Sequence, residues 1–334
     1  MQSHACCTVP PVVSKGYQVK GKHVTIDGMK TYVTGSSSAT SALLVVYDIF
    51  GFFPQTYQGC DILAEGDKEK KYQVFMPGVR DGWAMNEMPS QTALSRSEDI
   101  SYAQKRARRS VASCWLLPVL DYQTGWGTTD FFDGKPADIS WYPPDTKEKG
   151  EKLGQFFQTA AAPPKTLERI PKVLKEAQSQ NSNIKDWGIV GFCWGGKIVN
   201  LVSQSGTPFK AAAACHPAMI DPADAPGVTI PYAMLPSKDE DKEAVEKWEK
   251  GLKVKGVVEW FPDQLHGFMA ARYVLMHVLT RTVVSLLKCL ARAIRMMMCR
   301  ILIEVDSGDL EDANVKKEYE RAYGFLLNFF HTHM

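Results

Sequence analysis

Three residues that are far apart in the chain have types and surroundings suited to acyl transfer: Cys193, Asp239 and His266. Cys193 lies in Gly191-Phe192-Cys193-Trp194-Gly195, which fits the pattern G-x-[Ser/Cys]-x-G. In that pattern a nucleophile sits on a tight strand-to-helix turn. Glycines are required there because a side chain would strike the neighbouring backbone. The turn places the sulfur at a helix N-terminus, where the dipole favours thiolate. It also aims the N–H of Trp194 at the place where an oxyanion would form. The plainer reading is a small buried cysteine in a glycine-rich turn, a common arrangement.

Chain order weighs against the plainer reading. A sheet of the α/β-hydrolase kind delivers nucleophile, acid and histidine in that sequence, each from the end of a successive strand. Asp239 follows the apolar run YAMLPSK, and His266 follows VVEWFPDQL, in LHGF, where Gly267 leaves room for a loop. Asp241 in SKDED is the rival acid; Asp239 is preferred as the one nearest the strand end. His216, in CHP after another apolar run, is a weaker rival base, better read as a packed or capping histidine.

The elements that must position these residues are legible as alternating patterns. HVTIDG and KTYVTG read as two short strands joined by a glycine-containing turn. SALLVVYDIFG at 41–51 is a continuous apolar run, the signature of a strand buried on both faces. KYQVFMP, NIKDWGIVGF, FKAAAACHP, IPYAMLPS and VVEWFP complete the strand set. Helical spacing covers 55–65, 147–161, 166–178, 195–203, 242–253 and 316–330, with Pro163 and Pro164 separating the second and third. Strands alternating with helices imply a mainly parallel sheet with helices on both faces, hence a single α/β domain over 1–334.

Composition narrows the classes. The chain has 334 residues, 45% hydrophobic and 23% charged, enough to bury a substantial core. A formal charge of +2 argues against nucleic acid or an anionic membrane as the main partner. Eight irregularly spaced cysteines make neither a disulfide framework nor a metal site, so no metal and no cofactor are expected. The N-terminus lacks the basic and apolar regions of a secretory signal. No stretch reaches the about 18 uncharged apolar residues of a membrane span; Arg281, Lys288, Arg292, Arg295 and Arg300 interrupt the nearest one. A reducing, cytoplasmic setting follows, with a small molecule as partner. The oligomeric state is left open, and a monomer is expected.

The combination of YDIFG, VFMP, DFFDGKPAD, GFCWGGK, SKDED and LHGFMAAR resembles the dienelactone hydrolase family of the α/β-hydrolase superfamily, its fungal cytosolic members most of all. The resemblance implies Cys193 as nucleophile, His266 as general base and Asp239 as the group orienting the imidazole. It implies an oxyanion hole from the backbone N–H groups of Ile49 and Trp194. Asp48 stands where bacterial members carry a thiol-tuning glutamate. Bacterial members also hold a substrate carboxylate with arginines. Gly134 and Lys135 stand where the first belongs, and Arg272 lies near the expected place of the second. The implied activity is hydrolysis of a small ester or lactone through a thioester.

Two segments interrupt the resemblance. Residues 78–129 separate VFMP from DFFDGKPAD and include the basic run KRARR at 105–109, which we read as a solvated loop. Residues 273–307 separate HGFMAAR from the closing helix. We read both as translated retained introns or gene-model errors. The alternative is genuine insertions forming a lid and an amphipathic interaction helix. Two other functional readings stand beside the hydrolase: a binding protein on the same fold, and a redox-responsive thiol protein in which Cys193 is oxidised.

Overall fold

The computed structural model describes residues 17–78, 130–138, 141, 144–270 and 313–334. The chain opens with β1 (Lys22–Ile26) and β2 (Met29–Gly35). Asp27 and Gly28 join them with positive φ at both positions, the two-residue turn whose twist suits a hairpin. β3 (Ser41–Val46) and β4 (Tyr72–Pro77) are buried at every residue. β5 (Asp186–Phe192), β6 (Ala211–Cys215), β7 (Tyr232–Leu235) and β8 (Gly256–Val258) follow.

These strands form one eight-stranded sheet in the order β1-β2-β4-β3-β5-β6-β7-β8. Only β1 and β2 run antiparallel to their neighbours; from β4 to β8 every pairing is parallel. The order turns back at β3, whose two neighbours are β4 and β5. In open parallel sheets the crevice beyond the strand ends at such a switch is where ligands bind. Asp48 and Ile49 leave β3 there, and Cys193 leaves β5 there.

The described residues hold six α-helices: α1 (Pro54–Glu65), α2 (Lys147–Gln158), α3 (Pro163–Gln180), α4 (Trp194–Val202), α5 (Lys242–Gly251) and α6 (Ala313–His333). α1 and α6 pack together, as do α3 and α4. Gly59 lets α1 approach α6: a Cβ there would lie 1.9 Å from the Tyr323 hydroxyl. α3 starts earlier than its apolar spacing indicates. Pro163 and Pro164 do not separate two helices; they form the first turn of α3, where a proline's missing N–H costs nothing. β8 is shorter than VVEWFP suggests. Past Val258 only an isolated bridge between Ser237 and Phe261 continues the pairing, which frees the chain to turn toward His266.

The ends of the long segment after β4 meet. A Cβ built on Gly78 would lie 3.3 Å from the Cα of Asp130. The two Cα atoms are therefore no more than about 5 Å apart, close to the ~3.8 Å of directly bonded residues. Asp130 then holds its own turn, its carboxylate accepting from the N–H groups of Phe132 and Gly134 at 2.8 and 2.7 Å. Residues 79–129 and 273–307, and KRARR with them, lie outside the described residues.

Candidate active site

Cys193 occupies the sharp turn between β5 and α4 with φ 54° and ψ −116°. A non-glycine residue is rarely found there, and the strain persists only where the surroundings enforce it. Here the glycines permit it. A Cβ on Gly191 would lie 2.1 Å from the Gly195 carbonyl oxygen, and one on Gly195 would lie 2.2 Å from that of Val46. Backbone bonds complete the enforcement. The Cys193 N–H donates to the Cys215 carbonyl at 3.1 Å, and the Cys193 carbonyl accepts from Ala218 at 3.0 Å. Trp194 is the first residue of α4, a position whose N–H has no acceptor within its own helix.

His266 lies beside Cys193 at the end of the sheet, and the Cys193 side chain is among the groups that act on its ring. The other side of the ring holds the main departure from the sequence expectation. Nδ1 of His266 lies 2.6 Å from Oε1 of Glu240. Asp239, the expected partner of the ring, instead accepts the backbone N–H of His266 with Oδ2, at 2.7 Å. The two acids are consecutive, so the turn after β7 sends them opposite ways. Asp239 is exposed, while the Glu240 side chain is 3% exposed. The second oxygen of Glu240 accepts the Ser237 N–H, which fixes the carboxylate against the imidazole. Asp241, the rival acid, caps α5, accepting from the N–H groups of Glu243 and Ala244.

Burial by itself would push the imidazole of His266 down. The interaction with the Cys193 side chain and the hydrogen bond to the Glu240 carboxylate outweigh burial and hold the group well above its ordinary value. The ring of His266 thus has Glu240 at Nδ1 and the Cys193 side chain within interaction range.

Asp48 is buried, and its Oδ1 accepts the Phe50 N–H at 2.8 Å, which tightens the turn carrying Ile49. The Ile49 carbonyl accepts from Ala137 at 2.9 Å, tying that turn to the loop after Asp130. Lys135 is exposed. Arg272 lies outside the described residues.

His216 is fully buried. Its ring packs at right angles-like tilt, 72°, against the ring of His266 with centroids 5.2 Å apart, and it also meets Phe192 and Phe268. A residue with no evident signal in the sequence, Arg321 of α6, braces the His266 loop. Its guanidinium lies 3.8 Å from the centre of the Phe261 ring, donates to the Trp260 carbonyl at 3.0 Å and pairs with Glu259. Among the described residues no group of His, Cys, Asp and Glu is arranged to hold a metal ion, and no helix is long and apolar enough to cross a membrane.

Comparison with known proteins settles the family. The profile of the dienelactone hydrolase family matches residues 29–278. The chain belongs to the dienelactone hydrolase family. An uncharacterized AIM2 family protein of Schizosaccharomyces pombe is 30% identical over 266 residues, covering 78% of this chain and 84% of that one. A carboxymethylenebutenolidase homolog of Xenopus tropicalis is 24% identical over 262 residues, covering 76% and 80%. Among solved structures, a dienelactone hydrolase-like promiscuous phosphotriesterase from metagenomic libraries superposes with a TM-score of 0.51 at 11% identity, covering 92% of this chain and 97% of that one. This member of the dienelactone hydrolase family therefore has the α/β-hydrolase fold, and it is placed in a family of hydrolases.

Proposed function

We propose that the protein hydrolyses a small carboxylic ester or lactone through a thioester on Cys193. The observation that carries the proposal is the alignment of Cys193, His266 and Glu240 at the strand ends of β5, β8 and β7. The acid is Glu240. Asp239 is a brace for the His266 backbone.

The proposed sequence starts with proton transfer from the Cys193 thiol to His266, whose imidazolium Glu240 stabilises. The sulfur attacks the ester carbonyl carbon, and the carbonyl electron pair moves to oxygen. The N–H groups of Trp194 and Ile49 stabilise that oxyanion. Asp48 contributes by pinning the turn that presents Ile49. The tetrahedral intermediate collapses, the C–O bond to the leaving group breaks, and His266 returns its proton to the departing alkoxide or enolate. His266 then takes a proton from water. The hydroxide attacks the thioester, and the sulfur leaves as thiolate. Thiolate is a good leaving group, so an easily expelled enolate or aryl oxide suits this nucleophile better than an amide nitrogen.

Cys193 is buried, and a sulfur fitted against an imidazole at a strand-end crevice favours acyl transfer over oxidation as its chemistry. Steady-state hydrolysis of aryl acetates and enol lactones by the wild type and by Cys193→Ser tests the proposal. Turnover that disappears in Cys193→Ser is expected. Equal turnover by both proteins, or none by either, contradicts it.

A further inference from the structure

We propose that His216 is a positioning residue, which holds the imidazole of His266 between Cys193 and Glu240 by ring packing. The inference rests on the roles proposed for Cys193 and His266, and it adds a third residue to them.

Residues 215–218 contact both Cys193 and His266. By their backbone they hold the nucleophile: the Cys215 carbonyl accepts the Cys193 N–H, and the Ala218 N–H donates to the Cys193 carbonyl. By the His216 ring they meet the base, at 5.2 Å between centroids and 72° between planes. The segment itself cannot drift. The His216 N–H donates to the Leu235 carbonyl at 2.8 Å, at the end of β7 and five residues before Glu240. His216, directly after the end of β6, adopts φ 36°, a left-handed conformation. Phe192 and Phe268 close the remaining sides of the ring, with centroids 5.8 Å away in each case.

A histidine base held by one hydrogen bond at Nδ1 can still swing about that bond. A ring packed against its face or edge removes the swing, because interior packing leaves no space for the displaced atoms. The groups around His266 then have separate tasks. Cys193 is the proton donor, Glu240 sets the charge and the tautomer, the Asp239 carboxylate holds the backbone N–H, and His216 confines the plane of the ring.

His216→Ala and His216→Phe separate ring packing from a general need for a filled core. Three quantities are measured on folded protein: kcat and KM for p-nitrophenyl acetate, the alkylation rate of Cys193 by iodoacetamide at neutral pH, and the His266 titration midpoint by NMR. In His216→Ala, kcat falls about tenfold with KM nearly unchanged, as expected for a displaced catalytic group. Cys193 alkylation slows, and the His266 midpoint drops toward the ordinary histidine value. His216→Phe restores kcat to within about threefold and restores the midpoint. Should His216→Ala fail to fold, His216→Leu, which keeps volume without a ring, takes its place in the comparison. A folded His216→Ala or His216→Leu with wild-type kcat and midpoint overturns the proposal, and so does His216→Phe as impaired as His216→Ala. Absence of wild-type turnover would remove the hydrolase reading instead. The alkylation rates and midpoints would still decide whether His216 sets the alignment.

Discussion

Glu240 holds Nδ1 of His266 at 2.6 Å, while its neighbour Asp239 holds only the backbone N–H of the same histidine. One side chain therefore stabilises charge on the ring, and the other stabilises the loop that carries the ring. Substitutions at the two positions should separate cleanly. Glu240→Gln removes the charge and offers the wrong hydrogen-bonding choice to Nδ1, so kcat should fall by about 10³–10⁴. Asp239→Asn keeps an acceptor for the N–H and should stay within about tenfold of wild type. Steady-state kinetics of both variants checks this; the reverse ranking would return the acid role to Asp239.

The charge on His266 depends on the sulfur. Cys193→Ser removes the sulfur whose interaction with the ring, together with that of Glu240, outweighs burial, so the His266 titration midpoint should move down. NMR of the ring nitrogens reads it directly. Linkage fixes the sign for stability. The folded-state value lies above the unfolded one, so this pairing stabilises the fold fully below about pH 6.5 and the contribution drains away as pH rises through the folded value. The melting temperature of Glu240→Gln should thus lie further below wild type at pH 6 than at pH 9, as about those two conditions show. A gap that widens with pH would contradict the pairing.

Arg321 links the C-terminal helix to the active-site loop through Phe261, Trp260 and Glu259. Arg321→Met keeps the stem and loses the stacked cation. We expect a stability loss of about 1 kcal/mol. We also expect a fall in kcat of about tenfold with little change in KM, since the loop carries the base and not the substrate. Thermal melts and kinetics on the same preparation check both. A large loss of stability with unchanged kcat would show that the helix supports the core alone.

Asp67 anchors the end of α6. It is buried, pairs with His331 at 2.6 Å and accepts the N–H groups of Glu69 and Lys70. Burial opposes its charge, but the His331 hydrogen bond and the two backbone donors prevail and hold it below its ordinary value. The stability it supplies is complete above the unfolded carboxylate value near pH 3.9 and is lost as pH falls through the lower folded value. Acid unfolding of Asp67→Asn should accordingly show a shallower acid limb from a lower starting stability. An unchanged limb would exclude the anchor.

Gly78 and Asp130 meet closely enough to be joined. Deletion of 79–129, with Gly78 linked to Asp130, should give a protein that folds cooperatively and keeps the Asp130 turn against Tyr47. Circular dichroism and a single melting transition check it. Failure of the shortened chain to fold would show that the segment supports the sheet.

The parts of the site that the sequence discloses are those fixed locally. The turn at Cys193 is legible because Gly191 and Gly195 are demanded by backbone contacts within a few residues, and the buried strands because both of their faces are apolar. The acid was not legible. Asp239, Glu240 and Asp241 are consecutive, and β7 ends before them, so no strand alternation says which one points inward. Burial against His266 decides it, and that is a long-range relationship. Arg321 and the contact of His216 with His266 depend on the same tertiary closure, between elements separated by more than forty residues. The prolines before α3 misled in the opposite way: a helix breaker in the interior is a helix starter in the first turn.

The central claim is that the Cys193 sulfur becomes acylated. Rapid quenching of the wild type with p-nitrophenyl acetate, followed by peptide mass spectrometry, tests it most directly. The account predicts one acetyl group on the Cys193 peptide, formed within the dead time of the first turnover and persisting longer in Glu240→Gln. Ester hydrolysis with Cys193 never modified, or an acetyl group confined to another residue, would contradict it.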